Sequence, residues 1–113
     1  MTGGVASQTG NLFAPLPEPG AYEQCTPVFS SAHVRVERIV SHGQASPPGF
    51  WYDQDRAEWV VLLAGSAGLL MEGEAAARVL RRGDHVIIPP HVRHRVEWTD
   101  PAEATIWLAV HCA

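Results

Sequence analysis

The sequence predicts a single all-β domain closed around an interior, and three observations carry that expectation. From residue 33 onward the 113-residue chain breaks into short apolar or alternating runs at regular intervals, separated by turn residues. That rhythm is the pattern of a sandwich or closed barrel rather than of alternating strands and helices. No window of ten or more residues has helical periodicity. The apolar fraction of 46% is that of a globular core, and a chain of this length buries roughly two-thirds of its unfolded surface without needing a disulfide or metal.

Met1 to Gly20 is rich in Gly, Ser, Thr and Pro and has no periodic pattern. Residues 1–20 therefore read as a flexible arm, with Leu12 and Phe13 tucked against the body, and residues 21–113 as the barrel domain. His33 to Val40 alternates, with Val34 and Val36 opposed to Arg35 and Glu37. Trp59 to Ala64 is a continuous apolar run, and Gly65-Ser66-Ala67-Gly68 reads as the turn that ends it. Leu69 to Met71 pairs with Ala77 to Leu80 across Glu72-Gly73-Glu74. Arg82-Gly83-Asp84 is a second turn, His85 to Ile88 resumes a strand, and Pro89-Pro90 stops it. Arg93 to Trp98 alternates, and Thr105 to His111 closes the chain with another apolar run.

Two runs are apolar on both faces: Val60 to Leu63 and Ile106 to Val110. A strand with one face on a core and one in water alternates, so something covers the second face. The cover is either the N-terminal arm or a second copy of the chain, and the expectation is a homodimer to which the arm can contribute.

Charge narrows the partners. The formal net charge is −4, and all eight basic residues are arginines. The absence of lysine excludes Schiff-base chemistry through that residue. Arg93 and Arg95 make a local basic spot but not the stripe a nucleic acid requires. Cys25 and Cys112 lack metal spacing and read as free thiols in a reducing compartment. The N-terminus lacks a charged segment followed by an apolar run, and Trp59 to Met71 is too short and too interrupted to cross a bilayer. These features point to a cytoplasmic protein that binds neither nucleic acid nor membrane.

Neither a His-Glu-x-x-His pair, a phosphate-binding glycine loop nor a dinucleotide fingerprint is present. Ala64-Gly65-Ser66-Ala67-Gly68 is not a nucleophile elbow, because no helix follows the serine. The chemistry concentrates in two stretches. After Pro89-Pro90, His94, Val96 and Trp98 share one strand face, with Arg93, Arg95 and Glu97 on the other. Charges belong outside, so His94 points inward, as a core histidine bonded to a backbone carbonyl or as a ligand. In the second stretch, Glu58 shares a face with Val60 and Leu62. One phase of that strand makes it a buried carboxylate in need of a partner, and the other leaves it an edge charge.

Taken with the spacing around them, these residues resemble a single-domain cupin over about residues 33 to 111. Cupins carry a first motif of His-x-His before a Glu, with Gly seven residues after the Glu; Glu58 and Gly65 match. The second motif runs Gly-Asp, apolar residues, Pro-x-Gly and a His three residues on. Gly83-Asp84, Val86-Ile87-Ile88, Pro89 and His94 match, with His91 where Gly is usual. The resemblance implies a double-stranded β-helix, or jelly-roll barrel, with a divalent metal inside, of the kind found in dioxygenases, isomerases, decarboxylases and non-catalytic sensors.

The sequence departs from the family at the histidine pair, whose places fall on Tyr52 and Gln54 or on Trp51 and Asp53. Glu58 and His94 carry over as metal ligands, with Gln54 or Asp53 as an oxygen donor and His91 as a recruited nitrogen. Zn²⁺, Mn²⁺ and Fe²⁺ suit such a set. Tyr52 is the candidate catalytic acid, base or hydrogen-bond donor. The resulting expectation is a metal-dependent barrel acting on a small polar metabolite. The alternative is a non-catalytic barrel with a degenerate metal site that binds a small molecule. Trp51, Trp98 and Trp107 are candidates for a pocket mouth, and His111 is expected to face the dimer partner rather than the cavity.

Overall fold

Alternation decides which residues of β3 and β6 are buried, and eight strands enclose one interior. The computed structural model describes residues 6–113. The strands are β1 (Gln24–Ser30), β2 (Val34–Ser41), β3 (Ala57–Ala64), β4 (Ser66–Met71), β5 (Arg78–Arg81), β6 (His85–Ile88), β7 (His94–Thr99) and β8 (Thr105–Cys112). They form a five-stranded sheet in the order β1-β2-β8-β3-β6 and a three-stranded sheet in the order β5-β4-β7. All pairings are antiparallel. This is the expected double-stranded β-helix.

The apolar row of β3 shows the logic. Val60 and Leu62 are buried with Glu58, while Trp59, Val61 and Leu63 are half-exposed on the other face. Val60, Leu62, Leu69, Ile88, Trp107 and Ala109 belong to one core cluster between the sheets. Burying a side chain such as Leu62, which is fully enclosed, stabilises the fold by about 1.5–3 kcal/mol.

Gly65 alone turns the chain between β3 and β4; Ser66, Ala67 and Gly68, expected in that turn, are already strand. The backbone at Gly65 has φ of 81°, and a Cβ there would lie 2.7 Å from the Cα of Thr105. Only glycine meets both conditions.

β1 is the strand that the residue pattern did not signal. It contains Pro27, which cannot donate to a ladder, so it occupies a sheet edge and its register shifts between Pro27 and Phe29. Its pairing with β2 is fixed on the far side by the arm. Arg38 donates to the carbonyls of Leu12 and Pro15, the latter at 3.0 Å. Leu12 is half-buried there and Phe13 is exposed, so only one of the two expected anchors is tucked in. The first five arm residues lie outside the described part of the chain.

The arm lies on the outer side of β1 and β2. The outer face across β8, β3 and β6, which carries Leu108, Val110, Trp59, Val61 and the well-exposed Ile87, is not covered by the described residues of the arm. Among the described residues no helix is long and apolar enough to cross a membrane.

Candidate functional site

A cavity of about 100 Å³ opens between the sheets. Its walls include Glu58 from β3, His94 from β7, Glu37 from β2, His111 from β8 and Tyr52 and Gln54 from the segment before β3.

The placement of Tyr52 and Gln54 is settled by backbone pairing. Tyr52 and His94 form an antiparallel bridge, exchanging N–H···O bonds of 2.7 and 3.1 Å, and the N–H of His91 donates to the Gln54 carbonyl at 2.7 Å. Residues 50–54 thereby become an extra rung on β7, and alternation sends 52 and 54 inward. Trp51 and Asp53 point away: Trp51 lies under the Arg93 and Arg95 guanidinium groups, and Asp53 accepts from His91 Nδ1 at 2.9 Å. Of the two registers left open by the sequence, the fold takes Tyr52 and Gln54.

His94 and Glu58 both point inward and are more than nine-tenths buried. His94 Nδ1 lies 2.9 Å from the Val92 carbonyl. A carbonyl only accepts, so Nδ1 carries the proton and Nε2 faces the interior. Nε2 lies 3.6 Å from Glu58 Oε1, an ion-pair distance but too long for a hydrogen bond. Glu58 Oε1 is buried with no hydrogen-bond partner. Burial alone would push the His94 pKa down; the facing Glu58 carboxylate and the Val92 carbonyl outweigh it and hold the pKa above the ordinary value. Tyr52 stacks on the His94 ring at 5.4 Å and restricts its orientation.

Tyr52 is itself committed. Its hydroxyl donates to Glu23 Oε1 at 3.0 Å, and Ser41 Oγ reaches the other Glu23 oxygen at 3.5 Å. The Trp107 indole N–H donates to Ser41 Oγ at 3.4 Å. Burial, then the charge of Glu23 and the bond to it, push the tyrosine pKa well above the ordinary range. The phenol therefore stays protonated near neutral pH and acts as a donor, not as a base or a phenolate ligand.

The residue pattern missed part of this wall. His111 was expected to face a dimer partner, but its side chain is buried in the cavity with Nε2 donating to Glu37 Oε1 at 3.1 Å. The phase of β8 was a usable signal, because His111 shares a face with Trp107 and Ala109. Glu37, which alternates against Val34 and Val36 on β2, lines the cavity with Ile39. Glu23 and Cys25, which also line it, sit in and beside a strand with no pattern of its own. Partial burial, then Glu23 and Glu37, push the Cys25 thiol up to about 11.

His91 does not reach the cavity. It takes a left-handed conformation, φ 63°, with a side chain 68% exposed. The turn needs positive φ, which explains why glycine is usual at this place and sends the imidazole outward. The proposed metal set thus loses its second nitrogen. Among the described residues no three His, Cys, Asp or Glu side chains converge closely enough to hold a metal ion. Glu58, His94 and Gln54 share the cavity, but Tyr52 stands in a histidine position with its hydroxyl already bonded. The donors present, Glu58, His94 and the Gln54 amide, differ from the three-histidine-and-glutamate set that the resemblance implied.

With this geometry in hand, the comparisons agree on the class. The Cupin domain family model matches residues 37–111, and the chain belongs to the cupin family. A Ralstonia eutropha JMP134 crystal structure, provisionally assigned as a mannose-6-phosphate isomerase, is 52% identical with a TM-score of 0.91, over 94% of this chain and 98% of that one. An RmlC-like cupin from Shewanella frigidimarina NCIMB 400 shares the fold at 18% identity and TM-score 0.68, over 84% of this chain and 79% of that one. The DMSP lyase DddQ from Ruegeria pomeroyi DSS-3 is 25% identical with a TM-score of 0.61; the match covers 80% of this chain and 47% of the lyase. No match is found among curated proteins.

Two predictions come from this geometry. His91→Gly should raise stability by about 1 kcal/mol by relieving the left-handed conformation, less a small loss from the exposed Asp53 contact. Urea denaturation measures it, and a marked loss of stability would show that the imidazole has a structural role. The second concerns pH. The folded-state pKa of His94 lies above its unfolded value, so its stabilisation is complete below about pH 6.5 and is lost as pH rises through the raised pKa. Wild type should lose more melting temperature between pH 6 and pH 8 than Glu58→Gln does; equal slopes would sink the coupling.

Proposed function

We propose that this cupin is a small-molecule-binding barrel whose occupant satisfies Glu58 and His94. The observation that carries this reading is Glu58 Oε1, buried at the cavity wall with no hydrogen-bond partner and only the 3.6 Å ion-pair contact to His94. An unpaired buried acceptor costs about 1–3 kcal/mol, more when charged, and a ligand donor removes that cost. Tyr52, Glu23, Ser41 and Trp107 are bonded to one another and act as a rigid wall. The ligand contacts fall to Glu58, His94 Nε2 and Gln54.

The second reading is a divalent metal held by Glu58, His94 and Gln54, favoured by the same orphaned oxygen and by the inward aim of His94 Nε2. Such a metal would supply Lewis-acid or oxygen-binding chemistry, with Tyr52 as a hydrogen-bond donor nearby. One experiment separates the two. Untagged protein and its Glu58→Gln and His94→Ala variants are subjected to elemental analysis and to a thermal-shift screen with small polar metabolites. Stabilisation by a metabolite without bound metal, lost in Glu58→Gln, supports the binding barrel. Near-stoichiometric metal in wild type, lost in both variants, overturns it in favour of the metal reading.

We also propose a homodimer formed by the outer face of β8, β3 and β6. The half-exposed Trp59, Val61 and Leu108 and the 68%-exposed Ile87 support it. Ile87→Arg should convert the dimer to monomer in analytical ultracentrifugation without unfolding it. A wild type that sediments as a monomer at high micromolar concentration would end this proposal.

A further inference from the structure

The cavity wall carries three carboxylates, from Glu23, Glu37 and Glu58. No arginine lines it, and the chain has no lysine. The guanidinium groups that lie closest in sequence to the site residues are engaged elsewhere. Arg38 binds arm carbonyls, Arg93 pairs with Glu72 at 2.9 Å, and Arg95 binds the carbonyls of Ser46, Pro47 and Phe50. Arg35, in phase with Glu37 on β2, is exposed outside the wall and acts on the cavity only through its charge near Cys25. Within the wall, even with both histidines charged, two imidazoles face three carboxylates. A phosphate dianion entering here meets net negative charge and finds none of the forked donors that recognise phosphate.

The remaining wall is apolar, built from Ile39, Val60, Leu69, Val96 and Trp107. Glu58 and His111 are direct cross-strand partners on β3 and β8, and His111 in turn donates to Glu37. Two carboxylates therefore flank one imidazole on a single wall, with an apolar surface and two aromatic rings beside them. Glu58 is more than nine-tenths buried, and its Oε1 has no hydrogen-bond partner.

Resting on the binding-barrel reading, we infer that the occupant is a compact organic monocation, a protonated amine or an onium ion, and not a sugar phosphate. Its charged head lies against Glu58, and its apolar body lies on Val60, Leu69 and Trp107. Carboxylates stabilise the head directly, and Trp107 and Tyr52 offer aromatic faces to it. The cavity of about 100 Å³ is small against the roughly 300–1,000 Å³ of drug-sized sites, so the ligand is a few heavy atoms across. A bare inorganic cation makes no use of the five apolar side chains.

NMR titration of the full-length protein tests this with n-butylammonium and tetramethylammonium as cations, 1-butanol as the neutral counterpart, and mannose 6-phosphate and Mn²⁺ as competing classes. One or both cations should shift the His94 and Trp107 side-chain resonances at millimolar concentration and bind roughly tenfold more tightly than 1-butanol, the worth of one charge-assisted contact. Glu58→Gln should abolish that preference; Glu37→Gln, a second variant, should weaken it if Glu58→Gln does not fold. Which cation binds distinguishes an amine head, which donates hydrogen bonds, from an onium head, which does not. Tighter binding of 1-butanol or mannose 6-phosphate at the same resonances overturns the charge inference and leaves the binding barrel standing. Cavity shifts with Mn²⁺ alone return the site to the metal reading. Silence from both cations overturns the inference, and the metabolite screen then decides the parent reading separately.

Discussion

A carboxylate at the end of an apolar row is the constraint around which this barrel is organised. Glu58 lies in phase with Val60 and Leu62, so the alternation that builds the core also carries a charge into it. Water cannot solvate that charge fully, and an isolated buried carboxylate is costly. His94 answers part of it from the facing sheet at 3.6 Å. The distance leaves one oxygen without a bond, and that deficit makes the interior a site rather than a filled core.

The other polar groups of the cavity show the contrast. Glu23 receives Tyr52 and Ser41, and Glu37 receives His111. These pairs are closed, and they hold the walls where they are. The Tyr52–His94 bridge adds a third restraint, because it fixes the backbone of both residues and stacks their rings. Rigid walls around one unsatisfied acceptor form a preorganised pocket, in which little ordering remains to be done when a ligand enters.

The fold places this pocket through its strand order. β8 lies between β2 and β3, so Glu37, His111 and Glu58 come from three adjacent strands although residues 37 and 111 are far apart in sequence. Their convergence gives the cavity its negative character. Arg38, Arg78, Arg93 and Arg95 bind loop carbonyls or surface carboxylates, and no arginine lines the cavity. A barrel of the same fold with one arginine redirected inward would present a different ligand preference, which is why fold alone does not assign function.

The residue pattern by itself determined the all-β class, seven of the eight strands and the inward aim of His94, while the phase of the Glu58 strand was settled only by the fold. The pattern reached that far because alternation, apolar runs and turn residues are local properties of the chain. Gly65 and the Gly83-Asp84 turn were legible for the same reason. The tertiary structure decided the rest. It chose Tyr52 and Gln54 over Trp51 and Asp53, because that choice depends on a bridge to β7 more than forty residues away. It turned His91 outward, because a left-handed turn fixes the side chain regardless of its chemistry. It brought His111 and Glu37 inside and gave β1, with its proline, an edge to occupy. Each of these depends on which strands become neighbours, a relation that no single stretch of sequence contains.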